Sequence, residues 1–143
     1  MKFTEFELND TLLDAVYYAS YDDATEIQAK AIPLILKGHD LIGCAQTGTG
    51  KTAAFVLPML NQLSESEATG VKALILCPTR ELAIQIDRQV QGLAYFTNAV
   101  CKAVYGGGDG VAWDQEREAL EGGADVIIAT PGRLISHIER GYV

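Results

Sequence analysis

The chain has 143 residues, of which 48% are hydrophobic and 21% are charged, enough for one domain with a sizeable buried core. It contains no apolar run near the ~20 residues of a membrane-spanning helix, and residues 1–5 lack the layout of a signal peptide. The three cysteines lie in separate apolar runs, which predicts buried thiols in a reducing compartment. We therefore expect a cytoplasmic protein with no disulfides and no membrane partner.

The net charge of −8 is unevenly distributed along the chain. Residues 1–26 contain seven acidic residues and one basic residue, whereas residues 27–143 contain twelve acidic and ten basic residues. Net acidity argues against a nucleic-acid partner on charge alone, and the chain has no basic stripe. The nearly neutral body of the chain is nevertheless compatible with a local phosphate-binding face.

Helical and strand-like patterns alternate along the chain. In chain order, the pattern predicts helices over 8–19 and 25–37, a strand over 40–44, a helix over 51–63, a strand over 72–77, a helix over 80–95, a strand over 99–105, a helix over 111–121, a strand over 125–129 and a helix from 131 to about 141. This order predicts an α/β fold, a parallel sheet with helices on both faces. Residues 1–38 are expected to be a helical segment of the same domain, whose core is residues 39–143.

Residues 45–52 have the composition of a phosphate loop between a strand and a helix. Glycines let backbone N–H groups converge on phosphate oxygens, and the helix N-terminus adds partial positive charge. Lys51 is suited to the β- and γ-phosphates and Thr52 to Mg²⁺, so these two are the predicted catalytic residues and Thr52 the predicted metal ligand. The predicted ATP or ADP site comprises Ala45, Gln46, Thr47, Gly48, Thr49, Gly50, Lys51 and Thr52.

Three further loops follow predicted strands and should lie at one edge of the sheet, where open α/β folds bind ligands. Two of them place a capping threonine, Thr79 or Thr130, before a helix and an arginine in its first turn, and the third is the triple glycine at 106–108. A cation there opposes the helix dipole, and a bound phosphate would remove that penalty. We therefore predict that a single-stranded nucleic-acid backbone binds Pro78, Thr79, Arg80, Gly106, Gly107, Thr130, Pro131, Gly132 and Arg133. The alternative, a helix cap beside a solvated arginine, accounts for Thr79 equally well.

Thr25 and Gln28 have the spacing of a capping box at the start of a helix. A glutamine amide also carries the donor and acceptor needed to recognise adenine, so both interpretations stay open. Phe6 is a candidate for stacking on the base, or a core residue. Trp113 and His137 are interpreted as structural residues.

Together these segments resemble the N-terminal RecA-like domain of DEAD-box ATP-dependent RNA helicases, a P-loop NTPase fold. Phe6 with residues 25–28 is similar to the adenine-sensing Q motif of that family, and residues 45–52 match its phosphate loop, in which Ala at the first position is usual. The loops at 78–83, 106–107 and 130–133 match its RNA-contacting elements. Within the Q motif, Ser20 and Ala24 stand where Gly and Pro are usual, which affects the turn before the helix.

The resemblance also implies parts that these 143 residues do not contain. An Asp-Glu-Ala-Asp element for Mg²⁺ and water, and a second RecA-like domain with arginine fingers, are expected after Val143. We therefore expect a fold incomplete at the C-terminus, in a fragment that binds adenine nucleotide without efficient hydrolysis. Two alternatives are a different P-loop enzyme, such as a DNA helicase or a transporter ATPase, and a non-catalytic binding module.

Overall fold

The computed structural model describes residues 1–107 and 110–143, so the predicted turn residue Gly108 lies outside the described residues. The chain divides into two compact units, which are described separately. Unit 1 comprises Met1–Ser66 and Gln89–Asn98, and unit 2 comprises Glu67–Arg88 and Ala99–Val143. In the part of the chain that the structure describes, no helix combines the length and the apolarity needed to cross a membrane.

Unit 1 is helical. A 3-10 turn at Phe3–Glu5 is followed by helices α1 (Asp10–Tyr18), α2 (Glu26–Leu36) and α3 (Lys51–Ser64). Asn9 caps α1, since its side-chain oxygen accepts a hydrogen bond from Leu12 N–H at 3.0 Å. The helices pack around side chains that are at most 1% exposed: Leu12, Ile32, Val56, Leu57 and Leu60. Burial of each such side chain stabilises the fold by about 1.5–3 kcal/mol.

Unit 2 contains a parallel sheet of three strands: β1 (Ala73–Leu76), β2 (Cys101–Val104) and β3 (Val126–Ala129), in the order β1-β3-β2. All four residues of β3 are fully buried, as expected for the apolar central strand of a parallel sheet. Unit 2 also contains the first part of helix α4 (Arg80–Leu93), whose residues from Gln89 onward belong to unit 1. Its other helices are α5 (Gly110–Glu118) and α6 (Pro131–Ile138), and α5 continues into a π-helical turn at Ala119–Gly123. One core cluster joins the sheet to the π-helical turn and α6: Val104, Ala119, Leu120, Ala124, Ile127, Ala129 and Leu134.

Asp125 links the starts of all three strands. Its carboxylate accepts a hydrogen bond from Val100 N–H at 2.9 Å and pairs with Lys72 Nζ at 2.9 Å. Burial favours a higher pKa for Asp125, but the hydrogen bond from Val100 and the charge of Lys72 outweigh it, so the pKa lies below its ordinary value. The ionised carboxylate is therefore part of the folded sheet.

The predicted strand over residues 40–44 is wrong. These residues form no regular element, and Ile42 is 94% exposed. Cys44 is also exposed, so the prediction of three buried thiols is wrong for this residue. A strand needs a neighbouring strand for its N–H and C=O groups, and no strand in the described residues pairs with this segment. An apolar run with β-branched residues predicts the tendency to form a strand, but it does not supply the partner. The other predicted elements are present, and most of them have shorter bounds. The exceptions are α3, which ends at Ser64, one residue later than predicted, and α5, which begins at Gly110, one residue earlier, and ends as a π-helical turn.

Candidate functional site

The phosphate loop in unit 1 has the backbone shape that its glycines predict. Gly48 and Gly50 have φ values of +83° and +80°, a left-handed conformation that side chains with a Cβ rarely adopt. Gly50 is the N-cap residue of α3 and has no side chain to satisfy the first N–H groups of that helix. The start of α3 therefore presents N–H groups and the positive end of the helix dipole, the features that suit an anion.

Two side chains of the phosphate loop donate hydrogen bonds to main-chain carbonyl groups of the same loop. Lys51 Nζ donates to Ala45 O at 2.6 Å, and Thr49 Oγ1 donates to Gln46 O at 2.6 Å. Lys51 is exposed, and Thr52 is half-buried in the first turn of α3. The predicted nucleotide residues 45–52 therefore form one continuous segment that runs from a loop into the first turn of α3 and contains an exposed lysine.

Gln28 connects the capping box to the phosphate loop. Its Oε1 accepts from Thr25 N–H at 3.0 Å, and its Nε2 donates to Gly50 O at 3.2 Å. Thr25 Oγ1 in turn accepts from Gln28 N–H at 3.4 Å, so the predicted capping box is confirmed. A Cβ on Gly50 would collide with Gln28 Nε2, so this contact itself requires glycine. Sequence reasoning did not predict that both ends of the Gln28 amide are used within unit 1.

Phe6 lies in the core of unit 1. Its ring is 5% exposed and makes an edge contact with Phe3, with 5.7 Å between the ring centroids. Gln28 is 4% exposed. Stacking of Phe6 on adenine, and recognition of adenine by Gln28, stay predictions, and both require these side chains to become more accessible.

In unit 2 the structure brings together two of the predicted backbone-binding residues, Arg80 and Gly107. Gly107 has a φ of +91°, and a Cβ at this position would collide with Arg80 Nη1 and lie 2.9 Å from Arg80 Cζ. Arg80 is exposed at the start of α4. Thr79 Oγ1 accepts from Leu82 N–H at 3.2 Å, so Thr79 caps the helix. Arg80 and the glycine turn thus form one exposed cationic corner.

The second predicted loop, residues 130–133, is built differently. Thr130 occupies the N-cap position of α6, but its side chain makes no capping hydrogen bond, contrary to the prediction that this loop repeats the cap seen at Thr79. Its N–H donates to Val104 O at 3.1 Å, which ties the loop to the end of β2. Pro131 and Gly132 are exposed, whereas the Arg133 side chain is 16% exposed and pairs with Glu116.

The chain is similar in sequence to known helicases. A family model described as DEAD/DEAH box helicase matches residues 25–143. The chain is 45% identical to the ATP-dependent RNA helicase CshA of Listeria monocytogenes over 97% of the chain and 26% of that protein. It is 46% identical to the probable ATP-dependent RNA helicase ddx27 of Dictyostelium discoideum over 95% of the chain and 17% of that protein. The chain thus spans about a quarter or less of these relatives.

Two solved structures are also similar. A DEAD box protein from the hyperthermophile Methanococcus jannaschii superposes with a TM-score of 0.89 at 37% identity, covering 100% of the chain and 38% of that protein. The RNA helicase Prp28 from Chaetomium thermophilum, bound to ADP, superposes with a TM-score of 0.86 at 44% identity, covering 98% of the chain and 34% of that protein.

Proposed function

The chain belongs to the DEAD/DEAH box helicase family, and we propose that it forms the part of an ATP-dependent RNA helicase that binds adenine nucleotide and one side of the RNA backbone. The family match confirms the resemblance noted in the sequence. The parallel sheet flanked by helices, and the similar structures, confirm the α/β RecA-like class. Because the relatives are about four times longer, RNA unwinding and remodelling are proposed for a longer protein that also carries a second RecA-like domain.

The observation that carries the nucleotide part is the phosphate loop. Two left-handed glycines, an uncapped start of α3 and an exposed lysine converge in residues 45–52. This set fits a polyphosphate, because the main-chain N–H groups at this helix end carry partial positive charge and the exposed Lys51 adds a full positive charge beside them. The similar Prp28 structure contains ADP, which supports the same class of ligand.

Lys51 and Thr52 would hold the phosphates and the metal ion. Mg²⁺ bound with the nucleotide would neutralise negative charge on the phosphates. Thr52 follows Lys51 in the first turn of α3, and its hydroxyl is the proposed ligand of this ion. Phe6 and Gln28 complete the proposed site as the adenine contacts.

The RNA part of the proposal depends on unit 2. Arg80 and Gly107 form the exposed corner described above, and Thr130 has a hydroxyl that does not cap α6. Such groups read phosphates and not bases, so we expect binding with little sequence preference and a steep dependence on salt. We further propose that residues 1–143 do not hydrolyse ATP efficiently, since they contain no Asp-Glu-Ala-Asp segment. A cytoplasmic location is part of the proposal, and the three free thiols support it.

Calorimetric titration tests the nucleotide part. We expect the wild-type chain to bind Mg·ATP and Mg·ADP, and Lys51→Ala to lose most of that affinity because it removes the charge closest to the phosphates. Lys30→Ala is the matched control: it removes an exposed lysine of unit 1 that pairs with Glu26 at 2.7 Å. Equal affinity of wild type and Lys51→Ala would refute the assignment of the phosphate loop. A parallel titration with GTP distinguishes an adenine site from other P-loop sites.

A further inference from the structure

Arg133 lies in a buried cluster of unit 2 that the proposed RNA contacts do not explain. Its Nε donates to Glu116 Oε2 at 2.7 Å, and His137 Nε2 donates to the same oxygen at 2.8 Å. Glu116 is 4% exposed and His137 is fully buried. A carboxylate at this depth is stabilised only by such partners, so the three side chains depend on one another.

Aromatic rings enclose the cluster. Trp113 stacks on His137 with 3.8 Å between ring centroids and an interplanar angle of 16°. The Arg133 guanidinium carbon lies 4.6 Å from the Trp113 ring centroid, within the range of a cation–π contact. The Tyr142 hydroxyl bonds to His137 Nδ1. Arg133 is therefore held by a carboxylate at its Nε and by a ring against its face.

One nitrogen of the Arg133 guanidinium does not face solvent, although the side chain as a whole is 16% exposed. Arg133 Nη2 is buried and has no hydrogen-bond partner among the described residues. A phosphate oxygen could reach this atom only if the guanidinium left Trp113 and Glu116, which would leave the Glu116 charge buried with His137 alone. Arg80, by contrast, is exposed. Both arginines lie in the first turn of a helix, Arg80 at the first position of α4 and Arg133 at the third position of α6, but their accessibility differs.

The electrostatics of the start of α6 also explain Arg133 without a phosphate. A cation in the first turn of α6 is unfavourable, and a bound phosphate is one way to compensate for it. Glu116 already supplies a negative charge at 2.7 Å from Arg133. No phosphate is needed to explain why an arginine is stable at this position.

We propose that Glu116, His137 and Trp113 are positioning residues that hold Arg133 as an internal brace beneath the turn at residues 130–132. The braced Arg133 fixes the direction of the first turn of α6 and does not bind phosphate itself. Phosphate contacts at this loop then come from Thr130 and the main chain, and the cationic contact of unit 2 comes from Arg80. This inference rests on the proposed RNA function and assigns the roles within it.

Arg133→Lys separates a brace from a phosphate ligand, since lysine keeps the charge but cannot reproduce a planar guanidinium that is stacked and hydrogen-bonded. The affinity of the 143-residue chain for single-stranded oligouridylate is measured across a series of salt concentrations. We expect Arg133→Lys to weaken binding several-fold with the slope of log affinity against log salt unchanged. Arg80→Ala, the comparison variant, should reduce that slope by about 0.7, the value of one lost phosphate contact on a single strand.

A second measurement needs no RNA. Trp113 is the only tryptophan in the chain, so its fluorescence reports on the cluster. We expect Glu116→Gln and Arg133→Lys each to increase quenching of Trp113 by acrylamide, with Arg88→Lys, at an exposed arginine of α4, as the control.

Three results contradict parts of this assignment. Near wild-type RNA affinity of Arg133→Lys, with a slope reduced in Arg133→Ala, would identify Arg133 as a phosphate ligand and overturn the brace. Unchanged Trp113 quenching in both cluster variants would also overturn it. Absence of salt-dependent RNA binding by the wild type would refute the proposed function of unit 2, and the brace would then be decided by the quenching result alone.

Discussion

The candidate site of unit 1 depends mainly on main-chain conformation, whereas that of unit 2 depends more on side chains. In unit 1 the phosphate loop is shaped by main-chain conformation: Gly48 and Gly50 are left-handed, and Gln28 and Lys51 donate to backbone carbonyl groups. In unit 2 the loops depend on side chains, and burial decides what each one can do. A glycine pattern thus predicts a main-chain conformation directly, whereas an arginine after a strand predicts a possible contact only if its side chain is accessible.

Arg80 and Arg133 show this most clearly. Both follow a threonine at the end of a strand, and both were predicted to bind the RNA backbone. Arg80 is exposed beside Gly107, while Arg133 is paired with Glu116 and stacked on Trp113. Thr79 caps its helix, and Thr130 does not. One sequence device therefore has two structural outcomes within the same unit.

Substitution of Glu116 tests whether the stability of unit 2 depends on its buried side chains, and it should cause the greatest loss of stability. Glu116→Ala leaves Arg133 and His137 without their shared acceptor, so it should lower the free energy of unfolding by about 3–5 kcal/mol. Urea denaturation followed by circular dichroism measures this difference. The control is Glu121→Ala, which removes the exposed partner of Arg117 and should change stability by less than about 1 kcal/mol. Equal effects of the two substitutions would show that the buried cluster does not support unit 2.

A smaller effect tests the main-chain basis of unit 1. Gly50→Ala forces a Cβ into a left-handed residue and into contact with Gln28, and should lower the free energy of unfolding by about 2–3 kcal/mol. Gly48→Ala is the matched variant, because its φ is similar but no atom lies within 4 Å of the added Cβ. It should lower the free energy of unfolding by about 1 kcal/mol. If the two variants lose the same stability, the contact of Gln28 with Gly50 contributes nothing.

The smallest effect concerns the link between the strands of unit 2. The pKa of Asp125 is lowered in the folded chain, so its contribution is present at neutral pH and is lost as the pH falls through the folded pKa. Asp125→Asn should lower the free energy of unfolding at pH 7 by about 1 kcal/mol. The difference in this free energy between wild type and variant should become smaller at acidic pH. Urea titrations between pH 7 and pH 3 measure this. A stability difference that stays constant over that range would contradict an ionised Asp125 as the link.

Part of this structure could be predicted from the sequence, for physical reasons that differ between elements. Glycine spacing and a capping box are local signals, so the loop at 45–52 and the start of α2 were predicted correctly. The strand over 40–44 was not, because strand formation depends on a partner that local pattern does not contain. The cluster around Glu116 was missed because Arg133 lies 17 residues further along, and their pairing depends on how α5 and α6 pack.

The most direct test of this division of roles is a map of backbone amide chemical shifts on the labelled 143-residue chain. We expect Mg·ADP to shift amides of residues 46–52 in unit 1, and oligouridylate to shift amides near Arg80, Gly107 and Gly132 in unit 2. Nucleotide-induced shifts confined to unit 2, or RNA-induced shifts confined to residues 46–52, would contradict the assignment of the nucleotide to unit 1 and the RNA backbone to unit 2.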